Sequence, residues 1–235
     1  MSESLITYAA HGDVALLTLD DGKANALSHA MLDALAHHLD RAEREAGSVV
    51  IAGRPGKFCA GFDLATMMGG PDAVTGILTK GGDLFLRLYT FPLPLVAACT
   101  GHALAGGALL LLCCDVRIGT GGPFKIGLNE IQIGLPLPLL GRELARDRLA
   151  PSHLTEATLL AKIYDPEAAC VAGYLDRVAP AGAVEASLEA AKAFDGLSRP
   201  ALAATKRELR AATVATIRDG FEPDLAALTK LAPTA

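Results

Sequence analysis

A chain of 235 residues with 51% hydrophobic and 20% charged side chains carries enough apolar surface for a packed core, which excludes a disordered or collagen-like chain. Its formal net charge of −5 speaks against broad nucleic-acid binding, while a few local cations would suffice for a small anionic ligand. The five cysteines form no C-x-x-C and stand in no zinc spacing with histidine, so buried free thiols in a reducing compartment are expected, and no metal site.

Residues 5–8 and 14–19 are strand-like on either side of the turn-prone His11-Gly12-Asp13, which predicts an opening β-hairpin. The N-terminus has no basic start followed by an apolar run, as a secretion signal would, and a cytoplasmic location is expected. Ser28 sits where an N-cap belongs, ahead of Met31, Leu32, Leu35, Ala36 and Leu39 at helical spacing. An apolar strand at 49–52 runs into a glycine-rich loop at 53–61, and helices are predicted at 63–68 and 77–89. Then come a strand at 95–99, a turn at Gly101, a buried helix at 105–114 and a strand at 115–119. The stretch 96–114 holds no Asp, Glu, Lys or Arg and approaches the roughly 20 residues of a membrane-spanning helix. Gly101, His102, Gly106 and Gly107 interrupt it, so strand, turn and helix are the expected reading and no membrane span. From residue 139 the pattern is helical, at 139–149, 154–161, 167–172, 184–194 and 200–217. Strands alternating with helices, then an all-helical tail, predict an α/β fold with a core over 1–145 and a C-terminal helical region over 146–235.

Three features carry chemistry. In GRPGKFCAGFDL, a tight loop follows a strand and opens a helix, where main-chain N–H groups lack internal partners and can face a developing negative charge. In TGHALAGGALLLLCCD, a helix begins on Ala105-Gly106-Gly107, so nothing obstructs the Gly106 N–H, and the helix dipole adds about 0.3–1 kcal/mol for a nearby anion. Two such donors around a forming oxyanion would lower a barrier by roughly 3 kcal/mol each. In FKIGLNEIQIGLPLPLLG, Glu130 is the only acid between Asp115 and Glu143, among Ile, Leu and Gly, where desolvation would raise its pKa toward neutrality. Each feature alone also fits an ordinary role, as a turn, a close helix contact or a solvent-facing acid.

Together, in this order and spacing, they resemble the crotonase (enoyl-CoA hydratase/isomerase) superfamily over most of the chain. The resemblance implies a spiral of ββα units with a C-terminal helical region that packs in trimers or dimers of trimers. FCAGFDL looks like the first oxyanion motif, which puts one donor at Phe62, and GHALAGGALLL looks like the second, which puts the other at Gly106. Ala60, Asp63 and Leu64 match positions around the adenine of an acyl-CoA, and Lys57, with Arg54, could meet its phosphates. The implied partner is an acyl-CoA thioester, with no separate cofactor because coenzyme A is part of the substrate.

Departures from the family pattern narrow the chemistry. Hydratases of the family carry two catalytic glutamates; here Glu130 matches the second, while Leu109 stands at the first. Hydration needs one group to activate water and another to manage the proton, and a leucine does neither. A single carboxylate suits the transfer of one proton along the chain, the conversion of 3-enoyl-CoA to 2-enoyl-CoA, and IGLNEIQIGL looks like the corresponding stretch of Δ3,Δ2-enoyl-CoA isomerases. The hydrolase branch would need an acid where Pro138 stands, and the dehalogenase branch an aspartate between Asp115 and Asp147, where none occurs. His102, beside the donor helix, could orient a water. A hydratase or other acyl-CoA lyase, and a non-catalytic acyl-CoA-binding scaffold, remain the alternatives.

Overall fold

The chain winds in repeated strand–strand–helix turns. A computed structural model describes residues 5–180 and 182–231, without the side chain of residue 231. The first turn is β1 (Ile6–His11), β2 (Val14–Leu19) and α1 (His29–Glu45); the second is β3 (Ser48–Gly53), β4 (Gly56–Cys59), α2 (Leu64–Met67) and α3 (Pro71–Tyr89). The third is β5 (Leu95–Cys99), β6 (Gly101–Leu104) and α4 (Gly106–Cys113); the fourth is β7 (Val116–Thr120), β8 (Ile126–Gly127) and α5 (Leu139–Arg148). Then follow α6 (Leu154–Thr158), α7 (Pro166–Ala172), β9 (Arg177–Ala179), α8 (Ala183–Lys192) and α9 (Arg199–Leu231).

The predicted hairpin forms, with Ile6 opposite Leu19 and His11 opposite Val14. From β2 on, the six-stranded sheet is parallel, in the order β1-β2-β3-β5-β7-β9. Its central strands read as unbroken apolar runs because both faces are covered. Val49, Ile51, Leu95 and Ala97 join the main core with α1, α3 and α4, while Val50, Ala52, Val96 and Ala98 meet Ala183 and Ala191 of α8. Ser28 caps α1 as expected, its hydroxyl accepting from the Met31 N–H at 3.2 Å.

Three expectations need correction. The glycine-rich loop and the Gly101 turn contain strands β4 and β6, which with β8 make a second, three-stranded parallel sheet. Strands of two to four residues carry no readable alternation. The segment after residue 139 is not wholly helical, since β9 adds an edge to the large sheet beside β7. The last helix continues past 217 to residue 231 and encloses Gly220 and Pro223, which are helix breakers in isolation.

Tertiary anchoring overrides them. Lys206 Nζ donates to the carbonyls of Phe91 and Leu93 at 2.9 and 2.8 Å and pairs with Asp115 at 2.5 Å, while Arg210 pairs with Asp115 at 2.9 Å. Farther along, the Asp224 carboxylate accepts from the Leu139 N–H and from Arg142. The apolar stretch that approached membrane length is divided into β5, β6 and α4, and no helix among the described residues is long and apolar enough to cross a membrane.

Candidate functional site

The three predicted segments converge on one cavity of about 630 Å³, lined among others by Phe62, Gly106, Leu109, Glu130 and Pro138. Its first amide is positioned by a parallel bridge between Leu27 and Phe62. The Leu27 N–H donates to the Gly61 carbonyl at 2.8 Å, and the Asp63 N–H donates to the Leu27 carbonyl at 3.3 Å. Both groups flanking Phe62 therefore point toward Leu27, and the Phe62 N–H points to the opposite edge. No main-chain acceptor among the described residues takes it. The Phe62 ring packs edge-on against Phe85 at 5.9 Å.

The second amide opens α4. Ala105 is held at φ 49°, ψ −121°, a conformation rare for a side chain-bearing residue, and its N–H donates to the Gly127 carbonyl of β8 at 3.0 Å. The helix's first bond runs from Leu109 N–H to Ala105 O, so the Gly106 N–H has no intrahelical partner. The two donor segments touch: a methyl group on Gly61 would come within 3.2 Å of the Gly106 nitrogen, and Gly61 itself sits at φ +94°. Gly107 is required for a different reason, since a Cβ there would lie 2.0 Å from the Cys59 carbonyl oxygen, so bare backbone lets α4 seat on β4.

Glu130 follows β8 and begins the short 3₁₀ turn Ile131–Ile133. It is 8% exposed, and its Oε2 has no hydrogen-bond partner among the described residues. Burial raises its pKa to about 7 against a mild lowering by its own main-chain amide. Two other acids line the cavity, and both are tied down. Asp21 accepts from the N–H groups of Lys23, Asn25 and Ala26, and Asp63 accepts from the Thr66 N–H and hydroxyl. Those hydrogen bonds overcome burial at Asp21, and at Asp63 they are the leading cause, so both pKa values are lowered. The three carboxylates are thus sorted into two fixed anions and one group poised to exchange a proton.

Of the remaining expected residues, Ala60, Asp63 and Leu64 line the cavity mouth, and Leu109 and Pro138 face its interior. Lys57 lies on β4 outside the lining; the cation at the mouth is Lys23. Arg54 is also outside, held by Asp20 at 3.4 Å and donating to the Lys23 carbonyl. The Nδ1 of His102 accepts from the Lys125 N–H at 3.0 Å, and its ring meets Phe124 edge-on, so it faces away from the cavity.

Sequence reasoning missed Lys23, Asn129 and Asn25. Asn129 lines the cavity, and its buried Oδ1 has no hydrogen-bond partner among the described residues. Asn25, fully buried at φ 55°, donates to the carbonyls of Leu19, Lys57 and Phe58 and accepts from the Asp21 N–H, which holds the 20–27 loop against β4. The run Asp20-Asp21-Gly22 before it signals a turn but not a binding wall. No three His, Cys, Asp or Glu side chains gather as a metal-binding group among the described residues.

Two main-chain amides and one buried acid thus line one open cavity of this α/β scaffold, an arrangement able to hold an oxyanion beside a proton acceptor. The model of the enoyl-CoA hydratase/isomerase family matches residues 9–234. The chain is 32% identical over 219 residues to human mitochondrial enoyl-CoA delta isomerase 1, covering 91% of this chain and 72% of that protein. It is also 32% identical over 238 residues to the 2,3-dehydroadipyl-CoA hydratase of Escherichia coli, covering 100% of this chain and 92% of that one. An enoyl-CoA hydratase/isomerase family protein from Pseudomonas syringae superposes with a TM-score of 0.93 at 38% identity, covering 95% of this chain and 98% of that one. The chain belongs to the enoyl-CoA hydratase/isomerase family and has the crotonase fold.

Proposed function

We propose that this protein isomerises 3-enoyl-CoA to 2-enoyl-CoA, with Glu130 as the single proton shuttle. The observation that carries the reading is a single buried carboxylate: among the described residues Glu130 is the cavity acid whose buried oxygen has no hydrogen-bond partner, and Leu109, 3% exposed, stands where a second would serve. The ionised Glu130 takes a proton from the carbon next to the thioester carbonyl. The electron pair moves onto the carbonyl oxygen, held by the Phe62 and Gly106 N–H groups. The dienolate then takes the same proton back two carbons farther on, and the double bond comes into conjugation. Ala60, Asp63 and Leu64 at the mouth, with Lys23, suit the coenzyme A arm, which enters as part of the substrate; no other cofactor is invoked.

Purified protein mixed with a 3-enoyl-CoA should develop the absorbance of the conjugated thioester, and Glu130→Gln should cut kcat/KM by about 10³-fold or more. Activity surviving that change would remove Glu130 from its role. Hydration is the second reading, favoured by the similarity to a bacterial hydratase. Formation of 3-hydroxyacyl-CoA from a 2-enoyl-CoA faster than isomerisation would select it, and tight acyl-CoA binding without turnover would select a scaffold. The homotrimer or dimer of trimers implied by the resemblance fits the exposed apolar side chains Leu159, Leu160 and Val171, and sedimentation equilibrium of the pure protein reads the mass.

A further inference from the structure

Beyond the oxyanion amides, the cavity does not end at Leu109. Phe62, Leu78, Leu109, Pro138 and Leu228 line both the main cavity and an adjoining pocket of about 30 Å³ on the side of Phe85 and α9, here called the branch. That volume is close to one water's share of the liquid, room for about one more carbon at a chain end. The branch stops at Phe221. On the far side of that residue lies a groove of about 420 Å³ between α3 and α9, lined by charged side chains including Asp83, Arg87, Arg218 and Glu222. Phe221 and Gly82 are the two residues common to branch and groove. The Phe221 ring meets Gly82 through its edge, so closely that a Cβ there would be 2.6 Å from a ring carbon. One phenyl ring therefore stands between a mainly apolar branch, with Asp224 its one charged wall residue among the described residues, and an outer groove lined by charged side chains.

We propose that Phe221 is the end stop of the acyl channel, so that the enzyme takes short- to medium-chain straight enoyl thioesters and a smaller side chain at 221 admits longer ones. This rests on the acyl-CoA reading of the cavity. The carbonyl is fixed at Phe62 and Gly106, and the coenzyme A arm leaves by Ala60, Asp63 and Lys23. The apolar direction leading away from that arm passes Leu109, Pro138 and Leu78 into the branch. A chain that fills the branch meets the Phe221 ring edge, and each further methylene must displace the ring from its seat on Gly82 or stay in water. Removing the ring joins the branch to the groove and turns a dead end into a through passage.

The test compares kcat/KM for 3-enoyl-CoA substrates of six to sixteen carbons in the wild type, Phe221→Ala and Phe221→Leu, scored as the ratio of the fourteen-carbon to the six-carbon rate. The ratio is expected to rise about tenfold or more in Phe221→Ala, the equivalent of two newly buried methylenes, with Phe221→Leu between. Phe221→Trp should lower it. Turnover in every variant with one unchanged chain-length profile would overturn the proposal and send the chain out by Ile133 and Met67, at the other side of the cavity. If no variant turns over any enoyl-CoA, the isomerase reading fails by itself. Calorimetric binding of saturated six- and sixteen-carbon acyl-CoA then decides the end stop: preferential tightening of the longer one in Phe221→Ala supports it, and equal affinities overturn it.

Discussion

Glu130 shows how much one residue's surroundings decide. Burial holds its pKa up at about 7, whereas Asp21 and Asp63 in the same cavity are lowered by hydrogen bonds from main-chain N–H groups. As the proposed shuttle Glu130 must be ionised to accept a proton, so kcat/KM should rise with pH, reach half its limit near 7 and level off above, with the limb absent in Glu130→Gln. Stability runs the other way. The unfolded carboxyl titrates near 4.5 and the folded one near 7, so between those values the folded chain holds more protons and stability falls as pH rises. The difference amounts to about 3 kcal/mol. Glu130→Gln, which cannot ionise, should therefore unfold at a higher temperature than the wild type at pH 8 and gain little at pH 4.5. Thermal melts at the two pH values check this, and equal shifts at both would mean that the gain does not come from the charge.

At the scale of elements, the proposed oxyanion pair depends on how closely α4 rests on β4. A methyl group at Gly107 would overlap the Cys59 carbonyl, so Gly107→Ala must push the two apart. The expected cost is about 1–3 kcal/mol of stability, with a fall in kcat larger than any rise in KM, because the displaced donor acts on the enolate more than on the bound thioester. Steady-state kinetics beside a urea titration separate the two effects. This closeness was partly legible. Gly106, Gly107 and FCAGFDL are visible in the sequence because a bare backbone site demands glycines at fixed places, and the long apolar strands β3 and β5 are visible because both their faces are buried. The second sheet was not, since β4, β6 and β8 are too short to show a period. Nor was the cation at the mouth: Lys57 and Lys23 are both single lysines near glycine turns, and only the bridging of Asn25 between the 20–27 loop and β4 puts Lys23 inside and Lys57 outside.

For the molecule as a whole, α9 ties the sheet to the site. One end is fixed to the core by Lys206 and Arg210 around Asp115, which also accepts from the Leu95 N–H at the start of β5; the other carries Phe221, Leu225 and Leu228 over the cavity. Lys206 and Arg210 are 7% and 5% exposed, and desolvation lowers the Lys206 pKa, so the two cations rely on Asp115 for compensation. Taking that carboxylate away leaves two buried charges with only carbonyl acceptors, those of Phe91 and Leu93 for Lys206 and that of Tyr89 for Arg210. Asp115→Ala should cost about 3–5 kcal/mol, read as a lowered urea midpoint. Lys206→Met should cost less, because Asp115 keeps Arg210 and the buried ammonium disappears with its desolvation penalty. If the two variants are equally destabilised, the Lys206–Asp115 pair carries the anchor and the Arg210–Asp115 pair adds nothing to it. If α9 loosens from this anchor, the wall carrying Phe221 loosens with it, so Asp115→Ala should also flatten the dependence of kcat/KM on acyl length while Lys206→Met leaves most of it in place.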